Sequence, residues 1–584
     1  MPAAPQAEKR PERTVQHGVE IIDDYAWLKD ARWQAVMRDP TLLDADIRAH
    51  LEAENAHTEA TLAPLSAFRE ALVAEMRGRI KEDDSSVPAR DGIYEYAVRY
   101  RDGGQHPVYY RLDGAGAETV LLDGDELAEG EAFFRLGDAE HSPNHRLFAY
   151  SFDTAGSEYY TIRVKDLQDG HLLDDQVDHS QGDITWDAVG ASFFYTLLDD
   201  NHRPCKVMRH ELGTAPENDQ LVYEEADPGF FVSVSKTESG RFILINAHDH
   251  TTSEVHAIEA ARPERAPRLL HPRIRDLEVD FTDQGDRWLI VTNADGAEDF
   301  KICQTPLDRP AKPNWKDLVR YRPGCLIRGL LAFRDWIVRL EREAGLPRIV
   351  VTDTGTGAEH VIAFDEPAYE LGLMPGYEYG TRTLRFSYAS MATPGRVFDY
   401  DMLTRERILR KEQEVPSGHD PAMYEVRRLE APAPDGEGVP VSILMKRGTP
   451  LDGSAPLFLY GYGAYGLPMP AGFTTNRFSL VDRGFVYAIA HVRGGMEKGY
   501  RWYREGKLAD KPNTFTDFVA VAEHLCAEGF AAPGRIAAHG GSAGGMLMGA
   551  IANLRPDLFA AILAEVPFVD VLNTMSDADL PLTP

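Results

Sequence analysis

The sequence predicts two architectures in one chain: a seven-bladed β-propeller and, after it, a parallel sheet with helices on both faces. Three observations predict this. Seven short apolar runs, at residues 93–96, 147–150, 193–195, 242–245, 288–291, 336–338 and 384–386, recur about every 46 to 54 residues, the period of one four-stranded blade. Beyond residue 420 the pattern changes to apolar runs separated by helical periodicity, as in a sheet whose faces are covered. A chain of 584 residues is also too long for one ordinary core.

The elements follow in chain order. An opening helix is expected over residues 43–60, with Ile47 and Leu51 on one face. In the repeated region most landmark runs follow a turn, such as Ser142-Pro143-Asn144, Glu238-Ser239-Gly240 or Asp283-Gln284-Gly285. No strict signature dipeptide accompanies them, and an array of sandwiches is the alternative. Their aromatic residues read as core between blades rather than a ligand cage. A propeller that only binds is the alternative to one that serves catalysis.

In the last third, strands are expected at residues 439–445, 457–460, 485–492, 535–539 and 561–568. Phe515, Phe518, Val519, Ala522 and Leu525 have the spacing of one buried helix face. Thr514 and Asp517 form a capping-box-like pair at its start, and Pro533-Gly534 closes the connection to the next strand.

The chemistry is concentrated at Gly540-Gly541-Ser542-Ala543-Gly544-Gly545. A strand precedes this run and a helix over residues 543–553 follows it, the order needed to lift a serine hydroxyl clear of a sheet. Glycines at 540 and 544 let neighbouring backbone approach, and the helix N-terminus favours negative charge near Ser542. Ser542 is the candidate nucleophile, with a structural glycine turn as the alternative. Upstream, Gly461-Tyr462-Gly463-Ala464-Tyr465-Gly466 follows a strand. A tyrosine there either offers its hydroxyl to an oxyanion, beside the amide of the residue after the nucleophile, or packs its ring. Arg493 and Glu497 read as a structural ion pair or loop clamp. His539 and His491 read as strand or core residues rather than bases, because His539 should point away from the elbow. Only 42 residues follow Ser542, and none is histidine.

Several long stretches resemble the prolyl oligopeptidase family of serine peptidases, and most closely its oligopeptidase B branch. They are LFLYGYGAYG, HVRGGMEKGYRWYREGKLADKPNTFTDF, GGSAGGMLMGAIANLRPDLF, AEVPFVDVLNTMSDADLPLT and the N-terminal HGVEIIDDYAWLKD and LEAENAHTEA. The resemblance implies an α/β-hydrolase peptidase domain capped by a seven-bladed propeller that admits short peptides. It implies Ser542 as nucleophile, with the Tyr462 hydroxyl and the Ala543 N–H as oxyanion donors. It divides the chain into an N-terminal segment (1–72) packed on the peptidase domain, a propeller (73–415) and a hydrolase domain (416–584).

The family's catalytic Asp and His lie downstream of Pro584, so the hydrolase domain is expected to be C-terminally incomplete, a partial sequence of an active peptidase with an exposed sheet edge and poor solubility. Asp557, Asp570, Asp577 and Asp579 follow Ser542 in the wrong motif context. An acidic pair that the branch uses to hold basic side chains aligns with Pro470 and Gly472, which leaves cleavage after Arg or Lys as a family expectation. A non-catalytic peptide-binding protein and an esterase are the other readings.

A net charge of −31 argues against nucleic acid and acidic membrane surfaces as partners, and is compatible with attracting basic peptides or with simple solvation. Cys205, Cys303, Cys325 and Cys526 lack metal-ligand or disulfide spacing, which suits a reducing, cytoplasmic compartment. No cofactor and no metal is expected. No apolar signal core and no run of about 18 apolar residues is present. Oligomeric state is not legible.

Overall fold

The computed structural model describes residues 3–16 and 18–577. It opens with an antiparallel hairpin, Glu12–Gln16 against Val19–Asp23, and three helices, Trp33–Arg38, Ala45–Leu62 and Ser66–Arg77. Asp44 caps the second helix by accepting from the Asp46 amide. Ile47 is buried there but Leu51 is 49% exposed, so the expected two-residue apolar face is reduced to one. The segment reaches far along the chain. Arg483 donates to both Glu75 oxygens at 2.9 and 2.7 Å, and Arg79 donates to Ser479 Oγ at 2.6 Å. The Arg483 hydrogen bonds, with those of Arg79, hold the Glu75 carboxyl well below the usual carboxylate range.

Between residues 89 and 412 the strands form antiparallel sheets, five of four strands and one of eight. The expectation of seven separate blades is corrected to this extent, and the physical reason is local. The strand Leu172–Ser180 carries two register shifts and ends with Ser180 paired to Leu197 of the strand Ser192–Leu198, which joins neighbouring units into one sheet. Apart from Ile93, which lies in the turn before its strand, every landmark run lies on a strand paired on both sides, such as Leu147–Asp153, Phe242–His248 and Trp336–Glu343. Their aromatic residues pack between sheets: Trp288 and Phe281 meet Leu244 and Leu270, and Phe386 and Tyr388 meet Trp336 and Val338. Each sheet uses its own consecutive strands, so the first and last share none. Polar contacts join them: Lys411 Nζ to Asp84 at 2.7 Å, and Arg385 to the carbonyls of Val87 and Pro88 at 3.2 and 2.8 Å.

The remaining strands are β1 (Tyr424–Pro432), β2 (Gly438–Lys446), β3 (Leu457–Gly461), β4 (Val486–Ala490), β5 (Ile536–Gly541) and β6 (Phe559–Glu565). They lie side by side as β1-β2-β4-β3-β5-β6. The last four are mutually parallel, whereas β2 runs antiparallel to both of its neighbours, β1 and β4, so the expected all-parallel sheet is a mixed one. Helices α1 (Pro512–Ala527) and α2 (Ala543–Leu554) cover one face, where Phe518, Val521, Leu525, Leu547 and Ile551 pack on Leu457, Leu459, Ala488 and Ala538. The other face packs Leu444, Tyr487 and Ile489 against Phe478 and Val481, and against Ala368, Met391 and Ala392 from the last sheet of the propeller. Strand β6 is the edge, with Leu563 46% exposed. Among the described residues no helix is long and apolar enough to cross a membrane.

Candidate active site

Strand β5 enters the elbow from the sheet core and α2 leaves it, with Ser542 alone between them at φ 55° and ψ −117°. A non-glycine residue in this region is strained, and the strain is held by its neighbours. The Ser542 amide donates to the Glu565 carbonyl at 2.9 Å, and the Ser542 carbonyl accepts from Gly545 and Phe568 at 2.9 and 3.0 Å. The serine is exposed although Ala543, Gly544 and Gly545 behind it are buried. Gly544 is required: a Cβ there would stand 2.8 Å from the Gly461 carbonyl oxygen and 3.3 Å from Tyr462 Cα.

That contact brings the tyrosine loop to the elbow. Tyr462 is half-buried; burial raises its phenol pKa first, Tyr465 adds to this, and a hydrogen bond with Ser542 pulls the other way. Ala543 is the first residue of α2, where an amide has no intrahelical acceptor and the helix dipole favours an anion. Serine oxygen, phenol and free helix amide thus converge on one exposed spot, a geometry able to accept an acyl group and hold the negative charge that develops on its oxygen.

The loop is braced from below. Lys511 Nζ donates to the Gly463 carbonyl, and burial alone pushes the Lys511 ammonium down to about 8. Arg493 is buried and donates to Asp517 from its amide, Nε and Nη2 at 3.0, 2.9 and 2.6 Å, while Nη1 reaches Asp435. Burial raises the Asp517 carboxyl against the pull of Arg493, whereas hydrogen bonding to Asp517 raises Arg493; three converging charge-assisted hydrogen bonds mark the pair as ionised.

Several expectations change here. Arg493 is a clamp, but its partners are Asp517 and Asp435 rather than Glu497, which accepts from the Met469 amide at 2.9 Å. The capping pair fails because Pro512 starts α1; Thr514 lies inside the first turn and donates to the Arg493 carbonyl at 2.7 Å. His539 points along the sheet, 3.0 Å from Glu565 and against the rings of Phe458 and Tyr460, and His491 is buried beside Ser442 at 2.8 Å. Asp557 pairs with Arg555, Asp570 accepts from Asn573, Asp577 pairs with Lys29, and Asp579 lies outside the described residues. Sequence reasoning missed Lys511; the only signal was its place just before a helix-starting proline.

An elbow serine on an α/β sheet joined to a propeller defines a class, and the chain belongs to the prolyl oligopeptidase family of serine peptidases. It matches "Prolyl oligopeptidase, N-terminal beta-propeller domain" over residues 5–413 and "Prolyl oligopeptidase family" over residues 471–584. It is 40% identical to dipeptidyl aminopeptidase BI of Pseudoxanthomonas mexicana, over 99% of this chain and 81% of that protein. Protease 2 of Moraxella lacunata is 35% identical over 99% of this chain and 83% of its own length. The fold superposes on oligopeptidase B from Leishmania major with a TM-score of 0.93 at 33% identity, covering 100% of this chain and 84% of that one.

Proposed function

We propose that this protein is a serine oligopeptidase that hydrolyses short peptides through an acyl-enzyme on Ser542. The observation that carries the reading is the exposed, strained Ser542 within hydrogen-bonding reach of the Tyr462 phenol. Ser542 Oγ forms a bond to the peptide carbonyl carbon while the Tyr462 hydroxyl and the Ala543 amide hold the oxyanion. The C–N bond then breaks, the amine leaves with the proton taken from the serine, and water hydrolyses the ester to free the carboxylate. His491 and His539 are engaged elsewhere, so neither is assigned as the proton carrier.

Cleavage after basic residues is the proposed preference. A net charge of −31 is compatible with it. The proposed domains are residues 1–72, 73–415 and 416–584, the first resting on the third through Lys29–Asp577 and Asn573–Asp23. Seven blades is the proposed count, reading the eight-stranded sheet as two units fused at Ser180–Leu197. Four free cysteines, three of them buried, support a reducing compartment such as the cytoplasm.

The protein should be labelled at Ser542 by a serine-directed phosphonate and should cleave short Arg- or Lys-containing peptides, and Ser542→Ala should do neither. Equal turnover by Ser542→Ala removes the serine from the mechanism, and peptide binding without labelling favours a non-catalytic binder. Tyr462→Phe is expected to lower kcat about 10²- to 10³-fold with little change in KM.

A further inference from the structure

A second cluster of chemistry-bearing side chains lies where the first propeller sheet meets the next. Asp91 ends the strand Ala89–Asp91, His141 ends the strand Arg135–His141, and His145 stands four residues on, before the strand Leu147–Asp153. One ligand atom from each lies within 4.8 Å of the other two. His141 Nε2 is 2.8 Å from Asp91 Oδ2, and His145 Nδ1 is 4.0 Å from the same oxygen. The Tyr96 hydroxyl is 2.9 Å from His145 Nδ1.

The rings are held in place. His141 is buried and stacked on Tyr96, with centroids 3.7 Å apart and planes at 8°, and Tyr377 meets it edge-on at 4.9 Å. His145 has φ 61°, a conformation that histidine adopts more readily than most residues but still at a cost. This turn sets its imidazole over Gly92, where a Cβ would stand 3.1 Å from His145 Nε2. Burial is the first cause lowering the His145 pKa, against the pull of Asp91. Arg111 borders the cluster: it donates to the His145 carbonyl at 2.6 Å, lies 4.1 Å over the Tyr94 ring and hydrogen-bonds Tyr96.

We propose that Asp91, His141 and His145 bind one divalent transition-metal cation of the zinc type. Two imidazoles and one carboxylate are a zinc-type ligand set, and His141 and His145 have the H-x3-H spacing found in such sites. Tetrahedral bonds of about 2.0–2.1 Å place ligands about 3.3 Å apart, so Asp91 and His141 open slightly and His145 closes in. The proton shared by His141 and Asp91 leaves as the metal enters, and the Tyr96 hydroxyl or water takes the fourth position. The ion would cross-link the first two units of the ring beside a cavity of about 680 Å³ lined by Glu140, Trp186, Lys236 and Tyr377.

The test is equilibrium dialysis of chelator-stripped protein against ZnCl2 at pH 7.5, with Co²⁺ as spectroscopic substitute. One Zn²⁺ per chain and a tetrahedral Co²⁺ absorption band are expected. Binding should release protons, read as a fall in pH when ZnCl2 is added to the unbuffered protein. Asp91→Asn and the double change His141→Ala with His145→Ala should each weaken binding at least about tenfold. His171→Ala, in the separate Asp166–Asp169–His171 group, should change nothing. Far-UV circular dichroism monitors folding, and the near-isosteric Asp91→Asn carries the test if the double variant misfolds. Absence of bound Zn²⁺, undiminished binding by Asp91→Asn, or loss of binding with His171→Ala would each overturn the proposal.

Discussion

Ser542 sits where an L-residue is strained, at φ 55° and ψ −117°, and the surrounding amides and carbonyls hold it there. Glycine relaxes that strain, so Ser542→Gly should unfold at a higher denaturant midpoint, with about 1 kcal/mol of added stability, while losing peptidase activity. A midpoint equal to or below that of the natural protein would contradict the strain argument. Lys511 yields a pH prediction. Its folded pKa of about 8 is below the unfolded value of about 10.4, so its burial penalty is fully present below pH 8 and is relieved between 8 and 10.4. In that window the unfolded chain binds the proton that the folded chain has released, and stability from this group rises with pH. Lys511→Met should flatten the rise, seen as a smaller Tm gain between pH 8 and 10 than in the unaltered protein.

Helix α1 shows how the elements are locked and how much of them the sequence discloses. Its apolar spacing was legible because Phe518, Ala522 and Leu525 face one core. Its start was not: a local cap pattern at Thr514 and Asp517 was overridden when Arg493, distant in sequence, claimed both side chains. Asp517→Ala leaves the Arg493 guanidinium buried with only Asp435, and should cost about 3–5 kcal/mol in a urea titration. Loss of less than about 1 kcal/mol would show the pair to be water-screened. Strand β1 was missed for a related reason. Arg427, Arg428 and Glu430 keep its middle partly exposed, and no clean alternation survives in Tyr424–Pro432. Ser542 and Tyr462 were legible as candidates because glycines mark close backbone approach; the bracing by Lys511 depended on tertiary contact and left no local pattern.

Across the whole molecule, the repeat was readable from the doubly paired landmark strands, whereas the fusion of two units through Ser180 and Leu197 depends on bulges that periodicity does not reveal. Closure of the ring depends on side chains rather than a shared strand. Arg385→Met removes the donor to the Val87 and Pro88 carbonyls and should accelerate amide exchange in Ala89–Asp91 and Thr383–Ser390, with β3 and β5 unaffected. Uniform protection in the variant would show that closure resides elsewhere. The Glu75–Arg483 pair has a different implication, one that belongs to biosynthesis. Its partners are 408 positions apart, so at about 5–20 residues per second the amino-terminal helices emerge from the ribosome about 20–80 seconds before their docking surface exists. During that interval Glu75 is without Arg483 and Arg79 without Ser479, and the amino-terminal helices have their longest exposure to other partners.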